Sequence, residues 1–336
     1  MTKWRDDFMG PAGLVFKTPV KPKRRRVPEG GGGKKRKPPE REMLARVIRT
    51  VRRVPQVMVK VSGKAGGLRH VAEHLAYITR NGKLVGERGD GEELRGAAAV
   101  RDLARQWTEA GHDRRNARDT INLVLSMPKG TDRVAVAEAA RAFARSQFGA
   151  TNDYLMAVHD DTDQPHAHIT VKARGFDGVM LDPKKDDLQA WREAFAEELR
   201  ARGLECEATP RAARGQVLKG EVQSVRHMRD RGAELRVDAE RMRRALEVVE
   251  RGLGKLEALE PWEAAVKQRS RDVRRAWFQM AKVLEGEGGA DFEQLAGEIK
   301  AFVATMPDAK TRNTLLEERV RGVVQMQQSK GLARGE

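Results

Sequence analysis

The run His159-Asp-Asp-Thr-Asp-Gln-Pro-His166-Ala-His168-Ile-Thr-Val places three of the chain's seven histidines within ten positions. Residues two apart on a β-strand point to one face, so His166 and His168 would stand side by side. The preceding stretch, Asp153-Tyr-Leu-Met-Ala-Val158, has strand character, and Asp160 to Pro165 carries turn residues. An antiparallel hairpin of this length brings His159 beside the other two. Three neutral imidazoles converging on one point make a divalent-metal site with open positions, which suits Lewis-acid catalysis. Imidazole ligation admits Zn, Mn, Ni or Co on softness grounds, and Mg as a weaker guest helped by phosphate.

A nucleophile is the second requirement, and the chain has two tyrosines. Tyr154 falls in the first strand of the hairpin, where a half-buried aromatic is ordinary. Tyr77 falls near the end of a helix, in Glu73-His-Leu-Ala-Tyr77-Ile-Thr-Arg-Asn-Gly82, with Arg80 and Lys83 close by. Basic neighbours favour a phenolate and can turn it toward a phosphate. The metal triad, the basic surroundings and this tyrosine together point to phosphoryl transfer through a covalent phosphotyrosine. His70 and His74 share the helix with Tyr77 at i, i+4 and i+7, and packing or surface roles are expected of them. His112 and His227 have no constellation around them.

The elements that must position these groups can be read from the pattern. Glu40 to Arg53 reads as a basic amphipathic helix, Gln56 to Val61 as a strand, and Gly66 to Thr79 as a helix stopped at Asn81-Gly82. Ala97 to Ala110 is a second helix of the same region. Thr120 to Ser126 is a strand, and Thr131-Asp132 caps a helix to about Phe148. After the hairpin come a short strand near Gly178 to Leu181, a helix from Lys185 to Arg202 and a last strand over Leu204 to Ala208. This order predicts an α+β domain with a central, mainly antiparallel sheet flanked by helices. It is placed at 41–212, its sheet-bearing part from about 54 to 210. Residues 213–336 read as helices only, with apolar positions such as Leu246, Val249, Leu253, Leu256 and Leu259 at helical spacing.

Composition sets the partner class. The 336 residues are 34% charged and 39% hydrophobic, with a net charge of +16. Such a balance seeks a polyanion, nucleic acid first. Lys21 to Lys37 alone holds nine basic residues and one acid, half of that excess, so residues 1–40 are expected to form a disordered basic arm that contacts DNA non-specifically. A nuclear-import signal gives the same pattern. The single cysteine, Cys206, excludes an intramolecular disulfide and a cysteine-rich zinc cluster. No apolar run suits a membrane span or a signal peptide, so a cytoplasmic protein is expected.

These motifs together resemble the relaxase/mobilisation nuclease family of conjugative plasmids, in its P-type branch that includes the T-DNA border endonucleases. Tyr77-Ile-Thr-Arg-Asn-Gly82-Lys83 is similar to the family's nucleophile motif, Tyr-Leu-Ser-Arg-Lys-Gly. Leu125-Ser126-Met127-Pro128 resembles its serine motif, and His159-x-Asp161-x-x-x-Pro165-His166-x-His168 its metal motif. Ala208 to Gly215 is similar to the basic segment after the nuclease sheet. The resemblance spans about 54 to 230 and leaves out the first forty and last hundred residues. One departure is Lys172, where many members carry asparagine four positions after the last metal histidine.

The resemblance implies a His-x-His relaxase nuclease fold and site- and strand-specific nicking of single-stranded transfer-origin DNA. It implies a divalent cation, Mg or Mn, on His159, His166 and His168. Tyr77 would attack to give a 5′-phosphotyrosyl adduct that can later rejoin the strand. Asp161 would orient a metal-bound imidazole, or less simply take the Tyr77 proton. Ser126 would hydrogen-bond the DNA backbone or support the site, and Arg80, Lys83, Lys172 and Arg174 would meet phosphates. The helical C-terminal region would contact DNA or partners: relaxosome accessory proteins, the coupling ATPase and the type IV secretion machinery. The location implied is a bacterial cytoplasm, with export alongside DNA. Two rivals remain: a non-catalytic DNA-binding mobilisation accessory protein, and a replication initiator or transposase of the same chemistry. In the latter the tyrosine usually follows the histidines, whereas Tyr77 precedes them.

Overall fold

The computed structural model describes residues 2–17, 40–109, 118–218, 220–221, 223–252 and 260–332. The chain divides into two compact units. One contains Leu44–Thr209; the other joins Pro210–Glu336 to Met1–Lys17 and Pro39–Met43.

The first unit is organised by strands too apolar to stand in water. Every residue of β4 (Thr120–Ser126) is buried, and β6 (His166–Lys172) is buried except at its two ends. They sit at the centre of a six-stranded sheet ordered β1-β4-β6-β5-β2-β3, completed by β1 (Met58–Ala65), β5 (Tyr154–His159), β2 (Gly86–Arg88) and β3 (Glu93–Leu94). All pairings are antiparallel, and because the central strands are buried along their length both faces need cover. On one face Val59, Ile121, Leu123, Leu125, Ile169 and Val171 pack with Phe143, Phe148, Trp191 and Phe195 of α5 (Arg133–Phe148) and α6 (Lys185–Arg200). The other face carries α3 (Leu68–Ile78) and α4 (Gly96–Thr108), which bury Val71, Leu75, Ile78, Leu103 and Trp107 with Leu155 and Ala157. Full burial of each large aliphatic is worth roughly 1.5–3 kcal/mol. The histidines share this second face. The α+β architecture with a mainly antiparallel sheet is therefore the one expected.

The differences have local causes. The first strand begins at Met58 and continues through a bulge between Val61 and Gly63 to Ala65, where the sequence reading ended it at Ser-Gly. Residues 178–181 and 204–208 are not strands: each contributes one isolated bridge, Arg174 with Met180 and Gln56 with Glu207. Glu207 is nearly fully buried and is met by Arg46 and Arg49 of α2 (Glu40–Val51). That buried ion cluster, more than ladder hydrogen bonds, holds its segment.

The second unit is helical. It contains α1 (Thr2–Phe16), α7 (Gln223–Asp230), α8 (Arg236–Glu250), α9 (Pro261–Glu287), α10 (Ala290–Ala304) and α11 (Arg312–Leu332). Trp277 of α9 is its centre, fully buried between Phe16 and Phe302, with its indole N–H donated to the Ala213 carbonyl at 2.9 Å. Helix α1 corrects the expectation of an arm free of structure from residue 1. Phe8, Ala12, Val15 and Phe16 recur at helical spacing and are buried, and Arg269 donates to the carbonyls of Leu14 and Lys17 at its end. Gly10-Pro11 reads as a breaker in sequence, yet Pro11 lies inside the helix. The basic run Lys21 to Lys37, His112, and Leu253, Leu256 and Leu259 lie outside the described residues. No described helix is long and apolar enough to cross a membrane.

Candidate active site

The β5–β6 hairpin sets the histidines by register. His159 closes β5 directly opposite His166, which opens β6, while His168 lies opposite Ala157. The ring centroids of His159 and His168 are 4.4 Å apart, those of His159 and His166 5.1 Å, and those of His166 and His168 5.3 Å. One nitrogen from each lies within 4.8 Å of the other two. The connecting loop is tied down from α5 and its approach. Arg133 donates to the Thr162 carbonyl at 2.6 Å, Lys129 pairs with Asp163 at 2.7 Å, and the Met127 N–H donates to Pro165 at 3.1 Å.

Hydrogen bonds assign the lone pairs. His159 Nε2 donates to the Ile78 carbonyl at 2.7 Å, which leaves the ring's lone pair on Nδ1. His166 Nδ1 donates to the Gln164 carbonyl at 3.0 Å, which leaves Nε2 free to bind. His168 Nδ1 is buried without a partner. Burial is also the main cause that pushes the His168 pKa down to about 3, with His159 and His166 adding repulsion. Burial likewise lowers His159, against the Ile78 hydrogen bond. Both rings are therefore neutral near pH 7, the form that ligates. Imidazoles oriented by backbone carbonyls, plus one buried nitrogen left unpaired, fit a divalent cation. No other group of this kind occurs among the described residues.

Tyr77 reaches the same place from the other side. Val71, Leu75 and Ile78 anchor α3 on the sheet, and Tyr77 on the outer side is 54% exposed. Its ring stands edge-on to His168 at 5.8 Å and lies 6.4 Å from His159. The Ile78 carbonyl bonded to His159 belongs to the next residue, so the helix end is fastened to the triad itself. Beyond it Arg80, Asn81 and Gly82 all take positive φ. This turn sends the Arg80 guanidinium to within 5.5 Å of the Tyr77 ring centre and into an ion pair with Asp161. A half-exposed phenol, three metal-ready imidazoles and a cation thus meet at one end of the sheet.

The family description "Relaxase: MobA/VirD2-like, nuclease domain" matches residues 77–204. This part of the chain is similar to relaxase nuclease domains. The T-DNA border endonuclease VirD2 of Rhizobium radiobacter is 31% identical over 190 residues, 48% of this chain and 43% of that protein. The 43 kDa relaxation protein of Salmonella typhimurium is 26% identical over 137 residues, 37% of each. The chain thus spans less than half the length of these curated relatives. A solved structure, titled "Molecular Basis of Vancomycin Resistance Transfer in Staphylococcus aureus", matches 47% of this chain and 99% of its own at 14% identity. Its TM-score of 0.33 is too low to bear on fold or function.

Within the matched region and around it the remaining expected residues divide. Ser126 faces His166 across the β4–β6 ladder and is buried, its hydroxyl donating weakly to the Met127 carbonyl at 3.4 Å. Asp161 has an oxygen 4.0 Å from His159 Nδ1, while the His159 Nε2–H is donated to the Ile78 carbonyl. Lys83 is exposed in the turn that follows Tyr77. Lys172 lies six residues along β6 from His166, roughly 20 Å at ~3.3 Å per residue, and Arg174 lies further still. Neither joins the triad.

His74 takes the packing role expected of it. It stands one turn before Tyr77 with ring centres 6.1 Å apart, and burial pushes its pKa down to about 4. His70 pairs with Glu73 at the surface.

Proposed function

We propose that the chain is a conjugative DNA relaxase that nicks one strand at a transfer origin through Tyr77. The observation that carries this reading is the Tyr77 ring edge-on to His168, because nucleophile and triad come from distant parts of the sequence. His159 Nδ1, His166 Nε2 and a His168 nitrogen would hold a divalent cation, Mg or Mn. Bound there, it would supply Lewis-acid polarisation of the scissile phosphate and offset charge in the transition state.

The chain's own groups do the rest. The Tyr77 phenol oxygen attacks phosphorus and its proton is released. The bond from phosphorus to the 3′ oxygen breaks, and that oxygen takes up a proton. One phosphodiester is exchanged for another, a 5′-phosphotyrosyl link, so the reverse reaction can rejoin a strand. Arg80 places positive charge beside the attacking ring, and Lys83 is suited to a flanking phosphate. Lys172 and Arg174 are suited to more distant nucleotides. We assign the helical unit to DNA or partner contacts: accessory proteins at the origin, a coupling ATPase and a secretion channel. The enzyme would act in a bacterial cytoplasm and travel with the DNA it carries.

The test is incubation with labelled single-stranded origin DNA from the protein's own plasmid and Mg or Mn, followed by a denaturing gel. A metal-dependent protein–DNA adduct that disappears in Tyr77→Phe and falls at least a hundredfold in His166→Ala is expected. Binding without an adduct would leave a non-catalytic mobilisation protein instead.

A further inference from the structure

The turn after Tyr77 brings a permanent cation onto one of the metal-ready nitrogens. Arg80 and Asn81 take φ of 51° and 57°, a left-handed conformation that side-chain-bearing residues rarely adopt and that clusters where geometry serves a function. The result is specific. One Arg80 guanidinium nitrogen contacts Asp161 and also lies 3.3 Å from His159 Nδ1. Since His159 Nε2 is committed as donor to Ile78, Nδ1 holds the ring's only in-plane lone pair. That lone pair cannot both accept from a guanidinium and ligate a metal.

We propose that Arg80 is a resident cation of the triad, which must leave His159 Nδ1 before a divalent ion can be held by all three imidazoles. This rests on reading the triad as a metal site. Asp161 is the tether: it keeps the guanidinium near after it gives up the histidine. Arg80 is 37% exposed at its side chain, so it has open space to move into. Displaced, it stays beside the Tyr77 ring, where the charge of an incoming scissile phosphate has to be met. Metal loading and phosphate binding are then coupled through one side chain: the first releases the charge that the second uses. Arg80 is a positioning residue in this scheme, and its signature is in metal affinity, apart from turnover.

Isothermal titration of the full chain with Mn(II), without DNA, tests it. A positive charge removed from a few ångströms off a divalent ion corresponds to roughly tenfold in affinity at a partly exposed site. Arg80→Gln is expected to bind Mn(II) about tenfold more tightly than wild type, Arg80→Lys within about threefold of it, and His166→Ala at least a hundredfold more weakly. Matching thermal unfolding of the variants shows that they are folded. Equal or weaker binding by folded Arg80→Gln, with His166→Ala still defective, would overturn the proposal and leave the metal site standing. Absence of binding by wild type, or unchanged binding by His166→Ala, would overturn both.

Discussion

At the scale of single residues, the site runs on rings kept neutral by burial, and His74 shows this most simply. Its folded pKa is depressed to about 4 from 6.5, so the unfolded chain binds a proton more readily. Stability from the neutral ring is fully present above about pH 6.5 and is lost as pH falls toward 4. Allowing for partial exposure, the effect is about 2 kcal/mol. Replacing His74 with glutamine is expected to flatten the fall of the nuclease unit's melting temperature between pH 6.5 and 4. An unchanged profile would show that His74 is not held neutral. The three histidines and Tyr77 were legible in sequence because strand alternation pairs His166 with His168, a hairpin brings His159 to them and a helix stop marks Tyr77. The hydrogen bonds were not. Which group orients His159 depends on Ile78, whose carbonyl comes from a different element. Sequence offered Asp161, through the motif His159-x-Asp161.

At the scale of elements, the placement of Tyr77 depends on how α3 stops. Gly82 takes φ of +80°, and a Cβ there would sit 2.3 Å from the backbone carbon of Gly96 and 2.4 Å from the Ala97 nitrogen. Backbone cannot yield as a flexible side chain would. The same glycine's carbonyl accepts from the Gly96 N–H at 3.1 Å, which ties the turn to the start of α4. Gly82→Ala is therefore expected to cost about 2–4 kcal/mol, read by urea unfolding, and to reduce adduct formation by displacing the Tyr77–Arg80 segment. Wild-type stability in that variant would mean the turn relaxes freely. Asn81-Gly82 announced this stop in the sequence, and Asp132 announced the start of α5, where it accepts from the Val134 and Ala135 N–H groups. The β2–β3 pair gave no such notice. Strands of three and two residues carry too few positions for alternation to register, and their existence follows from pairing, β2 with β5 and β3 with β2.

At the scale of the whole molecule, the chain spends its two ends on one helical unit and its middle on the sheet. Sequence reading found the middle because alternation, turn residues and a metal motif coincide there. It lost the N-terminal helix because a block carrying half of the net charge follows closely and dominates the composition of the first forty residues. Yet α1 is held as firmly as any element of its unit. Phe8 and Ala12 are fully buried, Phe16 stands edge-on to Trp277 at 6.0 Å, and Arg269 caps its last carbonyls. Removing the Phe8 ring leaves a cavity that surrounding helices fill only in part, at a cost of about 3–5 kcal/mol. For a helical unit of ordinary marginal stability that is a large fraction of the total. Phe8→Ala is expected to lower the unfolding transition of the helical unit, followed by circular dichroism, while the Mn(II) titration of the histidine site stays at its wild-type midpoint. If residues 2–16 were dispensable, the variant would unfold with wild type. A shift in metal affinity would instead show that the helical unit's packing reaches the nuclease chemistry.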